Sequence, residues 1–75
     1  MKIEKGIIEE KLIEFEELSK HVKATKNGLR ALETLEKEIG KLLKEYLKGV
    51  EDNEGFEFVA EVTNRIIEAK RKLYN

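Results

Sequence analysis

Glutamates set three or four residues apart are the side chains in this chain whose spacing comes nearest to catalysis. Glu14 and Glu17, and again Glu33 and Glu36, stand at i and i+3, so each pair shares one face of a helix. Paired helical carboxylates can hold a divalent cation. In the first segment the row extends through Glu10, Glu14, Glu17 and His21. That row lies roughly opposite the apolar stripe Ile8, Leu12 and Phe15, on a face where water is not excluded. A surface pair between Glu17 and His21 is the expected use of those two residues. Dinuclear metal bundles place His three residues after Glu, and here Leu18 occupies the position three before His21. With no Cys there are no disulfides or thiolate metal sites, and a single His does not make a zinc site alone. The sequence carries no Gly-rich phosphate loop and no Ser/His/Asp set. The chain is therefore expected to be no enzyme and to carry no metal or cofactor.

A second constellation is basic. Lys20, Lys23, Lys26, Asn27 and Arg30 are residue types that reach phosphates and base edges. The stretch around them, Leu18-Ser19-Lys20-His21-Val22-Lys23-Ala24-Thr25-Lys26-Asn27-Gly28-Leu29-Arg30-Ala31-Leu32, resembles a helix-turn-helix DNA-binding unit. Ser19 follows Leu18 as a small residue follows an apolar one in that family. The resemblance implies that Val22 closes the first helix, that Thr25 caps the recognition helix, and that Leu29 and Leu32 anchor it to the core. Lys20, Lys23, Lys26, Asn27 and Arg30 would then face DNA. The resemblance covers residues 16–35 and gives an alternative function, a DNA-binding regulator acting as a dimer.

The elements that must position these groups follow from apolar spacing. Ile3, Ile7, Ile8, Leu12, Phe15, Leu18 and Val22 recur at helical steps, as do Leu32, Leu35, Ile39, Leu42 and Tyr46. Val59, Val62, Ile66, Ala69 and Leu73 repeat the pattern after Phe56. Asn27-Gly28 and Gly49 are the expected helix stops, and Asn53 the expected cap of the last helix. Residues 56–62 also alternate as a strand would, but the helical period runs on to Leu73. The spacing predicts a single all-α domain over residues 1–75, an antiparallel up-down-up three-helix bundle with helices at about 3–26, 29–48 and 54–74.

Apolar residues spill beyond each seam at Ile13, Leu43, Leu47, Phe58, Ile67 and Tyr74. A chain of 75 residues buries only about 60% of the surface its unfolded form exposes, less than larger domains do, and without Cys or a metal set the remaining remedy is association. Leu43, Leu47, Phe58 and Ile67 are the expected protein interface, binding another protein or a second copy as a homodimer. The expected function is a non-enzymatic helical interaction module of the adaptor, regulator or inhibitor type. No run approaches membrane-spanning length and none resembles a signal peptide, so a cytoplasmic protein with no membrane partner is expected.

Net charge is −1, yet the charges are segregated along the chain. Residues 19–30 carry Lys20, Lys23, Lys26 and Arg30 with no acid, whereas residues 51–61 carry Glu51, Asp52, Glu54, Glu57 and Glu61 with no base. Acids near helix starts and bases near helix ends complement the helix dipole. That accounts for the first and third helices but not the second, whose start is basic.

Overall fold

The computed structural model describes residues 3–22 and 26–74, Tyr74 by its backbone alone. Among the described residues the fold is all-α: helix α1 spans Lys5–His21, α2 spans Lys26–Lys48 and α3 spans Asn53–Tyr74. They pack as a three-helix bundle with overall dimensions of 39 × 22 × 15 Å. The long dimension is a little more than the ~34 Å of a 23-residue helix at 1.5 Å per residue. Residues 56–62 are helical, and the strand-like alternation there is overridden by the continuous 3.6-residue period.

The core takes Ile8, Leu12 and Phe15 from α1, Leu32 and Ile39 from α2, and Phe58, Val62 and Ile66 from α3. Leu18, Val22, Leu35, Leu42, Tyr46, Ala69 and Leu73 pack around it half-buried. Helix α1 meets both of the others more closely than they meet each other. Its three core residues have no exposed surface at all.

Two of the expected helix boundaries are corrected, Asn27-Gly28 and Asn53, while Gly49 is the stop expected. Asn27-Gly28 is not a stop: both lie in the first turn of α2, which begins at Lys26. The first helix instead ends at His21, because Val22 turns extended (φ −89°, ψ 145°) while its side chain stays against the core and its N–H reaches the Leu18 carbonyl at 3.0 Å. A β-branched residue adopts that backbone readily. Gly49 ends α2 without a left-handed residue, since among the described residues none has positive φ. The Gly49 and Val50 amides bond back three residues to Tyr46 and Leu47, both at 3.2 Å.

The cap of α3 is Asp52 rather than Asn53. Its Oδ1 accepts the Gly55 N–H at 3.1 Å, the geometry of a side chain satisfying an orphan amide in the first turn. Replacing Asp52 with Ala should lower stability by about 1 kcal/mol, read as a fall in urea midpoint, while Asn53→Ala should leave it nearly unchanged.

Phe58 was expected on the surface and is in the core, 9% exposed. Viewed down α3, Phe58 falls on the same side as Val62 and Ile66, and Val59 falls to the flank. Phe58 meets Tyr46 edge-to-face with ring centroids 5.4 Å apart, and Lys5 Nζ stands 5.4 Å from its ring centre. Such aromatic pairs add about 0.5–1.5 kcal/mol beyond burial.

Candidate functional site

Ion pairs tie the helices together at three places. Lys11 on α1 lies 3.4 Å from Glu38 on α2, and Glu36 on α2 lies 3.2 Å from Lys70 on α3. Arg65 on α3 grips Glu16 on α1 through two parallel bonds, Nε donating to Oε2 at 3.1 Å and the second nitrogen to Oε1. Hydrogen bonding to Glu16 holds the Arg65 guanidinium even more firmly protonated than usual, and Glu61 and Glu9 add to this. Lys11 is likewise raised above its ordinary value, chiefly by its bond to Glu38 and then by Glu14.

The carboxylate rows do not converge. Glu14 sits 3.6 Å from Lys11, and Glu36 is engaged by Lys70. Glu17 faces Lys20 at 3.5 Å and His21 Nε2 at 3.9 Å, on well-exposed side chains. Among the described residues no group of three or more His, Asp or Glu is brought together in a way that could hold a metal. Among the described residues no helix is long and apolar enough to cross a membrane.

The expected protein-interface residues divide. Phe58 is in the core and Leu43 packs half-buried against it, whereas Leu47 is half-buried outside the core and Ile67 is 48% exposed. Phe56, which stands in the sequence just ahead of the apolar alternation of the third helix, is 55% exposed. Phe56 and Ile67 are three helical turns apart and so share one side of α3. That side borders the Lys70 that reaches α2, while Leu43 and Leu47 share the side of α2 on which Glu36 reaches α3. The four residues therefore flank one edge, the outer seam between α2 and α3. On α1, Ile7 and Ile13 are also about half exposed.

Of the expected DNA-facing residues, Lys20 is exposed beside Glu17 in the last turn of α1. Lys26, Asn27 and Arg30 are exposed at the start of α2. Lys23 and Thr25 lie outside the described residues. Lys26 and Arg30 edge a groove whose floor includes Phe15, Leu29, Leu32 and Leu73.

One arrangement was not legible from charge counts along the chain. Between residues 31 and 50 four Lys balance four Glu, but the four Lys share one face of α2, and of the glutamates Glu33 adjoins that face while the others lie off it. Lys26, Arg30, Lys37, Lys41, Lys44 and Lys48 follow one another at steps of four, seven, four, three and four, all exposed on the side away from the core. Glu36 and Glu38 point to the flanks, each held by a Lys of another helix. On the opposite side of the bundle, α1 and α3 enclose a groove lined by Glu16, Glu57, Glu61 and Glu68 together with Lys20, Arg65 and Lys72, to which α2 contributes nothing.

No protein family, no curated protein and no solved structure matches this chain.

Proposed function

We propose that this protein is a non-enzymatic helical interaction module, of the adaptor, regulator or inhibitor kind, and that it associates with a second copy of itself along the α2/α3 edge. The observation that carries this reading is the pair of large apolar side chains, Phe56 and Ile67, left about half exposed on the side of α3 that adjoins Leu43 and Leu47. Removing such side chains from water is worth ~25 cal/mol per Å2, and a chain this small has little other core to draw on. The up-down-up course belongs to the same reading, supported by the cross-contacts Lys11 with Glu38, Tyr46 with Phe58 and Glu36 with Lys70.

Light scattering behind a sizing column should give twice the 8.7 kDa chain mass at high protein concentration. Ile67→Glu should return the mass to that of one chain and leave the helical circular dichroism in place. A wild-type chain that stays single at every concentration would sink self-association and direct the search to a different protein partner.

The alternative, a helix-turn-helix regulator, has one observation in its favour. Helix α1 closes at His21 with Val22 extended, and α2 opens at Lys26 with Lys26, Asn27 and Arg30 exposed in its opening turns. Recognition helices read DNA from such a position. Sequence-selective binding that is lost in Asn27→Ala would support it.

A further inference from the structure

We infer that the outward face of α2 is a docking ridge for the phosphodiester backbone of nucleic acid, gripped without regard to sequence. This inference does not rest on the interaction-module reading, which uses a different edge of the bundle. It differs from the helix-turn-helix reading as well, since the row runs on through Lys37, Lys41 and Lys44 beyond that unit and needs no contact with base edges.

Lys26, Arg30, Lys37, Lys41 and Lys44 form the ridge. Among the described residues no carboxylate lies within ion-pair reach of any of them. Lys48 extends the row but is held 3.0 Å from Glu45. From Lys26 to Lys44 the row covers about 27 Å along the axis, at 1.5 Å per residue. Glu33, beside the groove that Lys26 and Arg30 edge, borders the row and leaves its second turn without a cation.

Two features argue that these cations are not there for the stability of the fold. Every interhelical ion pair uses other bases, namely Lys11, Arg65 and Lys70. The first turn of α2 has no acid and instead carries Lys26, followed closely by Arg30, where the helix dipole disfavours positive charge. An incoming phosphate reverses that penalty, because the same helix end attracts anions.

The partner class follows from what the ridge lacks. None of the large exposed apolar residues lies on α2, so the ridge has nothing to bury in a bilayer interface. Protein interfaces are depleted in Lys, whereas phosphate contacts are made chiefly by Lys and Arg as point charges.

The test is fluorescence anisotropy with a labelled duplex of arbitrary sequence, titrated from 50 to 200 mM salt. Counterion release from the five ridge cations predicts a log–log slope of about −4.5, hence an affinity loss of about 500-fold over that range. In the triple variant Lys37→Gln/Lys41→Gln/Lys44→Gln the slope should fall to about −2, a loss of about 15-fold. A control, Lys20→Gln/Lys72→Gln, changes bases off the ridge and should keep the steep slope. Circular dichroism checks that both variants stay helical, as Lys and Gln have similar helix propensity. Three results would overturn the inference: no binding at 50 mM salt, binding untouched by the triple substitution, or displacement of the duplex by polyglutamate or anionic vesicles at matched charge. Binding that survives the triple variant but fails in Asn27→Ala returns the interaction to the start of α2.

Discussion

Replacing Phe15 with Ala should cost about 3–5 kcal/mol, the range for truncating a buried aromatic ring. Phe15 is the largest of the fully buried side chains, set in α1 between contributions from both other helices. A domain of this size is stable by about 4–11 kcal/mol, at 0.05–0.15 kcal/mol per residue. Much of the fold's margin therefore disappears with one ring. Urea unfolding should show the midpoint collapsing with little change in slope, the signature of lost stability rather than altered compactness. Ile13 on the same helix is 53% exposed, and its replacement by Ala should stay within about 0.5 kcal/mol. Equal losses at the two positions would mean that α1 is rotated from the orientation described.

The second large effect concerns two glycines in helices. Helix propensity alone favours Ala over Gly by about 1 kcal/mol anywhere in a helix interior. At Gly40 a Cβ would meet nothing within 4 Å, and Gly40→Ala should stabilise by that amount. At Gly55 the added Cβ would collide with the Val50 side chain, 2.7 Å from Cγ2 and 3.1 Å from Cβ, with Cγ1 closer still. Val50 is β-branched and stiff about its first torsion, so it yields poorly. Overpacking of that kind costs about 1–3 kcal/mol, enough to reverse the propensity gain. Thermal melts of the two variants should move in opposite directions. A stabilised Gly55→Ala would show that Val50 does not sit over the first turn of α3.

The three helices were legible because each keeps a 3.6-residue apolar period over at least four turns, and no Pro interrupts them. Their ends were less so. Asn27-Gly28 has the composition of a stop, but conformational permission is not compulsion, and the core's hold on Val22 set the break earlier. Phe58 and Val59 are adjacent apolar residues that periodicity alone does not separate. Tyr46 and Lys5, neither near them in sequence, decide which one faces inward. The α2/α3 edge was half legible: Leu43, Leu47 and Ile67 stand off their seams in the sequence, while Phe56 falls within the expected helix but ahead of its apolar alternation, so its spacing does not say which side it takes. The ridge was illegible as a count, since acids and bases alternate along α2 and separate only in angle around its axis.

The centrality of α1 has a consequence for how the chain assembles. Glu16 and Arg65 are 49 positions apart, and the core residues of α1 are enclosed only when α3 has arrived. No two consecutive helices form a finished unit, so there is no sub-structure for the chain to accumulate on the way. Closure of the longest loop is the step that completes the burial of Ile8, Leu12 and Phe15, and the entropy of that closure must be met before most of the burial is gained. The bundle is held in common through α1, and parting α1 from its neighbours would release the whole of it at once.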